Sequence, residues 1–312
     1  MDATAVVLEQ PQALCLRRLE LCDPQETDIV VDVDWSGIST GTERLLWSGR
    51  MPPFPGLGYP LVPGYESVGH VVAAGRESGL AEGATVFVPG AACYKEARGL
   101  FGGTASRLIV PARRAIPITD SLGDEAVLMA LAATARHAIA GGARAPDLIV
   151  GHGVLGRLLA RITVALGEPA PTVWEIDAAR RGGAADYSVI DPEDDPRRDY
   201  LAIYDASGAN GLLDRLIARL AFGGEVVLAG FYEEPLSFVF PPAFMKEARI
   251  RIATEFKPAD LVATSALIDS GALSLGGLIT HHRTPDQAEE AYRTAFTDPT
   301  CLKMVLDWRG VQ

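Results

Sequence analysis

The glycine-rich turn that closes on Gly156 constrains this chain more than any other feature. An apolar run, Leu148, Ile149 and Val150, leads into Gly151, Gly153 and Gly156. Such a run is what a buried parallel strand requires. The first glycine permits a tight turn, and the second lets backbone approach a pyrophosphate. The third lets the next helix pack closely on the sheet, with its N-terminal amides turned toward the anion. Leu155, Leu158, Leu159, Ile162 and Leu166 then recur at helical spacing. Glu175 ends a second apolar strand, Thr172–Trp174, at the distance from Gly151 where an acidic side chain meets a ribose. A carboxylate there accepts both ribose hydroxyls of NAD and repels the extra phosphate of NADP. Arg180 and Arg181 follow closely and are the residues that would read a 2′-phosphate instead.

The rest of the composition narrows the field. A formal net charge of −12 argues against nucleic acid and anionic membrane surfaces as partners. Cys15, Cys22, Cys93 and Cys301 are widely spaced, with neither a Cys-x-x-Cys pair nor zinc-ribbon spacing, so reduced thiols are expected. The first residues run directly into a strand-like Ala3–Leu8, and the longest apolar run, Val127–Ala135, stops at Arg136. No transmembrane segment is predicted, and a soluble cytoplasmic protein is expected.

The organisation changes along the chain. Ala3–Leu8, Ile29–Trp35, Val68–Ala74, Thr85–Pro89 and Ser106–Val110 read as short strands separated by Gly and Pro. Met51–Gly64, rich in Pro and Gly, reads as a loop over a site. From about Asp120 strands and helices alternate: a helix over Glu125–Ala140, strands at Leu148–Val150, Thr172–Glu175, Asp186–Ile190, Tyr200–Asp205 and Glu225–Ala229, and a helix over Gly211–Ala221. Alternation of this kind predicts a parallel sheet covered on both faces. Arg249–Glu255 and Pro258–Ser270 complete it, and the Gln287–Phe296 helix and Cys301–Trp308 strand return to the first domain. The expected division is 1–118 with 273–312, against 119–272.

This arrangement resembles the medium-chain dehydrogenase/reductase superfamily over nearly the full length. Val33–Glu43, Pro63–Val71, Gly102–Pro111, Thr134–Ala138 and Lys303–Leu306 carry the likeness. It implies an α/β protein with a doubly wound Rossmann-type sheet and a discontinuous, β-rich GroES-like catalytic domain, and it suggests a homodimer. Trp35–Glu43, Trp47–Glu66 and Leu128–Ala140 resemble more narrowly the members that oxidise the 3-(1-hydroxyethyl) group of a bacteriochlorophyllide to 3-acetyl. The implied substrate is thus a chlorin.

Zinc-dependent members hold the metal with Cys, His and Cys, and the matching positions here carry Ser39, Tyr65 and Ala130. Hydroxyl, phenol and methyl do not replace thiolate and imidazole as zinc ligands, so no metal is expected. Another group must then handle the alcohol proton. Tyr65 leads, with Ser39 and Thr40 as donors or relays and Glu66 as an orienter of Tyr65. Tyr65 as a filler of the space left by the metal has equal claim. His137, on the helix that in the family ends beside the nicotinamide, is the histidine to test as a base, although most helical histidines are structural. His281 and His282 would face opposite ways on a strand, which weakens a metal-pair reading.

The cofactor set implied by the turn and by the resemblance is Gly151, His152, Gly153, Val154, Leu155, Gly156 and Glu175, with Thr134 at the nicotinamide. Ser207 and Gly230 belong to it at strand ends, and Lys303 at the pyrophosphate. Trp47, Phe54, Tyr59 and Phe101 are candidate walls for a planar macrocycle, with ordinary loop packing as the alternative. Arg44 or Arg50 would meet a propionate. Two rivals stand beside this expectation: a zinc-free NADPH-dependent quinone or enoyl reductase of the same superfamily, and a nucleotide-binding module without catalysis.

Overall fold

A computed structural model describes every residue except Phe54, Ala185 and Gln312. The chain forms two compact units, Met1–Ala130 with Leu278–Gln312, and Leu131–Gly277.

The first unit is built on β1 (Asp2–Gln10), β2 (Ala13–Glu20), β3 (Asp28–Ile38), α1 (Thr42–Ser48), β4 (Ser67–Ala74), β5 (Thr85–Val88), β6 (Arg107–Pro111) and β7 (Ile116–Pro117). β1 and β2 form an antiparallel pair, and β2 had no counterpart in the sequence reading. Its burial is irregular, with Leu19 alone fully shielded, so it lacks the alternation that marks a strand. β3 is the spine of the larger sheet, pairing with β4 along one edge and with β6 along the other. Among the described residues, 51–64 contain neither helix nor strand, only isolated bridges at Leu61.

In the second unit, α2 (Met129–Ala140) precedes β8 (Leu148–Val150), α3 (Val154–Ala165), β9 (Thr172–Trp174), β10 (Ser188–Ile190), β11 (Tyr200–Asp205), α4 (Leu213–Arg219), β12 (Leu220–Leu228), α5 (Phe240–Met245), β13 (Arg249–Ile252) and α6 (Pro258–Asp269). Its sheet has the order β10-β9-β8-β11-β12-β13, and every pairing is parallel. The chain reverses its direction of travel across the sheet between β8 and β11, which opens a crevice at the carboxyl edge. Leu158, Leu159 and Ile162 of α3 are fully buried, whereas Leu166, just beyond its end, is 39 % exposed.

The return to the first unit consists of β14 (His281–Arg283), α7 (Ala288–Thr297) and β15 (Met304–Asp307). β15 pairs antiparallel with β3, Met304 opposite Ile38. Ala288, Ala291, Tyr292, Met304, Leu306 and Trp308 join Val6, Ile29, Val31 and Val88 in one apolar core. Burying these side chains, at roughly 25 cal/mol per Å2 of apolar surface, is what ties the last residues to the first.

Candidate active site

Strand register assembles the polar centre of the first unit. Ile38 lies opposite Met304 and Ser36 opposite Ser67. The residues just beyond these pairs, Ser39, Lys303 and Tyr65–Glu66, therefore gather at one end of three neighbouring strands. The Ser39 and Tyr65 hydroxyls are 2.6 Å apart. Thr42 also reaches the Tyr65 phenol, and Thr40 is half-buried next to Ser39. The Tyr65 ring packs on Phe101 with centroids 5.3 Å apart. Burial, and then the neighbouring Glu66 charge, push the Tyr65 pKa far above its ordinary value, so the phenol is protonated.

Behind this pair lie polar groups shielded from solvent. Glu43, Glu66 and Tyr292 are fully shielded, and Lys303 is 1 % exposed. The Lys303 ammonium donates to Glu66 Oε2 at 2.7 Å and to the Ile38 carbonyl at 3.2 Å. Two expectations change here. Lys303 does not face outward toward a pyrophosphate, because its charge is consumed inside the unit by a buried carboxylate. Glu66 does not orient Tyr65 by hydrogen bonding, because its bonded oxygen serves Lys303; it acts on the phenol through charge.

Ser39, Tyr65 and Ala130 offer a hydroxyl, a phenol and a methyl, and the first two spend themselves on each other. This donor set does not fit zinc.

The candidate nucleotide turn belongs to the second unit and is made largely of backbone. Gly151 has φ +96°, a left-handed value that favours glycine, directly after β8. A Cβ on Gly156 would fall on the Gly151 carbonyl oxygen, so only glycine lets α3 begin this close to the turn. A Cβ on Gly153 would meet nothing within 4 Å, which leaves the backbone there open to approach. The Cα of Ser207, beyond β11, is 3.1 Å from that notional Cβ of Gly151, and Gly230 sits beside Gly208 at the end of β12. Glycine turn, Ser207 and Gly230 thus share the carboxyl edge. The residues fit a dinucleotide.

Glu175 stands where expected, at the end of β9, and is nearly buried. It also has a task that spacing does not reveal. Its Oε2 accepts the His152 amide at 3.0 Å and its Oε1 the Asp177 amide at 2.9 Å, so it braces the turn. The His152 ring is fully buried, with Nδ1 2.7 Å from the Arg180 carbonyl and Nε2 2.9 Å from the Tyr187 hydroxyl. Burial lowers its pKa to about 4, and it is neutral. Arg157 bonds the His152 carbonyl and the carbonyls of Arg180 and Gly182. Val154 is buried and Leu155 half-buried at the start of α3. Arg181 is engaged by the Glu175 and Ile176 carbonyls and by Asp191.

Other expected residues lie elsewhere. His137 shares a hydrogen bond with Asp260 at 2.8 Å, its other nitrogen lies 3.3 Å from the Thr254 hydroxyl, and Asp260 caps α6. That is the setting of a structural histidine rather than of a base. Thr134 is half-buried on α2. The Ser207 hydroxyl donates to Asp205 at 2.6 Å. Trp47 packs against Phe296, and the Tyr59 hydroxyl donates to the Leu46 carbonyl at 2.5 Å. Trp47, Tyr59 and Phe101 do converge on one apolar cluster with Leu8, Leu46 and Leu61, but as partly buried packing residues. Phe54 lies outside the described residues. His281 and His282 bond to Thr280 and Asp124 respectively, so they do not act as a pair. Glu43, Tyr292, Arg157 and Asp205 carry much of this geometry and were not singled out from spacing.

Known proteins share this plan. Residues 25–120 match the alcohol dehydrogenase GroES-like domain. The 2-desacetyl-2-hydroxyethyl bacteriochlorophyllide A dehydrogenase of Rhodobacter capsulatus is 60% identical over 314 residues, covering 100% of both chains. Its counterpart in Cereibacter sphaeroides is 59% identical over 316 residues, covering 99% of each. The chain belongs to the medium-chain dehydrogenase/reductase superfamily. Within it, the chain groups with the bacteriochlorophyllide dehydrogenases. A solved Escherichia coli CFT073 short chain alcohol dehydrogenase, complexed with NADH, has the same fold at 21% identity and TM-score 0.83, covering 98% of this chain and 99% of the other.

Proposed function

We propose that this dehydrogenase uses NAD, without zinc, to oxidise the 3-(1-hydroxyethyl) side chain of a bacteriochlorophyllide to 3-acetyl. The Ser39–Tyr65 hydroxyl pair, at positions where a metal would need thiolate and imidazole, carries this reading. The substrate comes from the two full-length relatives. NAD, when bound, supplies the hydride acceptor. Glu175 at the end of β9 supports NAD over NADP, as does the engagement of Arg181 by carbonyl groups and Asp191.

The chain's own work is positioning and proton transfer. As the carbinol carbon gives up hydride, the hydroxyl proton passes to the Tyr65 oxygen, the Tyr65 proton moves to Ser39 or Thr42, and that hydroxyl releases its own proton toward solvent by way of the half-buried Thr42. The reacting carbon is attached directly to the macrocycle's conjugated system, which spreads the positive charge that develops there. A Lewis acid is then less needed than for an aliphatic alcohol. We extend the reading to a homodimer joined through the second unit. Its edge strand β13 and helix α5 expose Ile252, Phe240, Phe244 and Met245 at 73%, 66%, 65% and 71%, an apolar face unlike an edge that avoids pairing. Sedimentation at micromolar concentration tests that point, and a monomer would remove it.

The deciding experiment mixes purified, chelator-treated protein with a 3-(1-hydroxyethyl) bacteriochlorophyllide and either NAD or NADP, and follows the absorption spectrum. The 3-acetyl spectrum should appear with NAD, far more slowly with NADP, and not with ethanol or sorbitol as alcohols. Loss of activity on chelation, with recovery on added zinc, would refute zinc independence. Oxidation of small alcohols without the pigment would refute the substrate.

A further inference from the structure

The relay leaves a carboxyl at the centre of the first unit unexplained. Glu43 is fully shielded from solvent, and its two oxygens serve distant parts of the chain. Oε1 accepts the Ser39 amide at 2.9 Å, and Oε2 accepts the Tyr292 hydroxyl at 2.6 Å. The residue preceding α1, Gly41, has no side chain to cap it, so Glu43 reaches back from the first turn to satisfy the loop. One side chain thereby anchors the segment between β3 and α1 to α7 of the C-terminal return. Its nearest client, Ser39, is the residue whose hydroxyl meets Tyr65.

We propose that Glu43 is a positioning residue for the proton-relay pair, holding Ser39 against Tyr65 through the Ser39 amide while Tyr292 holds Glu43. The inference rests on the zinc-free reading above, since the alignment of these hydroxyls matters only if they move the proton.

The charges around Glu43 make the device responsive. Tyr292 faces it from α7, Glu66 and Tyr65 from the segment before β4, and Lys303 from the start of β15. Two carboxyls share one ammonium, and the close ion pair, 2.7 Å, is between Lys303 and Glu66. Glu43 therefore has hydrogen bonds but no close ion pair. Burial raises its pKa to about 7; Glu66 adds to the rise, and the bonds from Tyr292 and Ser39 together with the Lys303 charge oppose it. As a carboxylate, Glu43 accepts both bonds. As an acid, one oxygen becomes a donor, one acceptor bond weakens, and Ser39 is held less firmly.

The test compares kcat and KM for the bacteriochlorophyllide against pH in wild type, Glu43→Gln, Glu43→Ala and Tyr292→Phe. Wild-type kcat should rise as Glu43 ionises near pH 7. Glu43→Gln should lower kcat about threefold at high pH and abolish that inflection, because the amide still accepts the Ser39 N–H but does not titrate. Glu43→Ala should lower kcat at least about tenfold with KM within about twofold. Tyr292→Phe should move the inflection upward, since it removes a bond that favours the ionised form. Difference infrared spectroscopy of the protein without cofactor supplies a readout independent of turnover. A protonated-carboxyl band should titrate near pH 7 in wild type and be absent from Glu43→Gln.

An inflection or infrared band retained in Glu43→Gln overturns the proposal. So does a Glu43→Ala protein that melts earlier but keeps its kcat. If Glu43→Ala does not fold, Tyr292→Phe and the infrared band decide. If wild type never converts the pigment, the functional reading falls, while the infrared arm still tests Glu43 alone.

Discussion

The two units carry candidate sites built from opposite materials. In the second unit the work is done by main chain: the left-handed Gly151, the close-packed Gly156, the open Gly153, and amides braced by Glu175. In the first unit it is done by side chains from segments remote in sequence: Ser39 with Tyr65 and Glu66 with Lys303 at the ends of paired strands, and Glu43 of α1 with Tyr292 of α7. A backbone-built site is robust, because most side chains around it can change without moving an amide. A site of buried charges is responsive and fragile, because each group depends on partners from remote segments.

The largest expected effect lies in the fragile half. Lys303→Met should destabilise the first unit by about 3–5 kcal/mol, since it strands the buried Glu66 carboxylate beside Glu43. Adding Glu66→Gln should recover most of that loss. Thermal denaturation of the single and double variants measures it. Equal damage in both would mean that Lys303 matters for packing rather than charge, and the contrast between the halves would shrink.

Next comes pH, where the two halves pull in opposite directions. The folded pKa of Glu43 is raised from 4.5 to about 7, so the folded protein holds the extra proton. Its contribution to stability is full below the unfolded value and declines as pH rises between 4.5 and about 7. The folded pKa of His152 is lowered from 6.5 to about 4, so its contribution is full above 6.5 and is lost as pH falls toward 4. Each amounts to about 3 kcal/mol. Denaturant titrations across this window should show stability declining less with rising pH in Glu43→Gln, and falling less on acidification in His152→Asn. Unchanged slopes in both variants would show that neither burial has the energetic weight assigned to it.

Catalysis should separate the halves as well. Tyr65→Phe removes a hydroxyl from the relay and should cut kcat about 10- to 100-fold, with KM changed much less. Steady-state kinetics at saturating NAD checks this. An unchanged kcat would reduce Tyr65 to packing on Phe101.

The smallest effects should come from the backbone half, in a diagnostic pair. Gly156→Ala places a methyl on the Gly151 carbonyl and should cost about 1–3 kcal/mol together with cofactor affinity. Gly153→Ala meets no protein atom and should cost about 1 kcal/mol or less, yet still weaken NAD binding by occupying the approach to the turn. Calorimetric titration with NAD beside melting curves distinguishes the two. If Gly153→Ala binds NAD as wild type does, the pyrophosphate does not pass that glycine.

Local spacing made the Rossmann sheet and its glycine turn legible. The strands Leu148–Val150 and Tyr200–Asp205 have the bounds expected from their apolar runs, and Glu175 stands at its strand end. β2, α5 and β14 were not anticipated, because their residues do not alternate or repeat clearly enough to announce an element. Lys303 and His137 show the limit most clearly. Each has a residue type suited to cofactor or proton chemistry, and each is spoken for by a carboxylate far away in sequence.

The sequence by itself determined that a dinucleotide turn follows β8, and that zinc-ligating side chains do not occupy Ser39, Tyr65 and Ala130. Both are properties of residue type at a fixed separation, and a few neighbouring residues carry them. Tertiary structure alone decided which charges face each other. The pairing of β3 with β4 and β15, with α1 and α7 packed at its end, brings Glu43, Glu66, Lys303 and Tyr292 into one buried centre. Charge pairing over such separations depends on strand register and burial. Both arise only when the whole unit closes around its core.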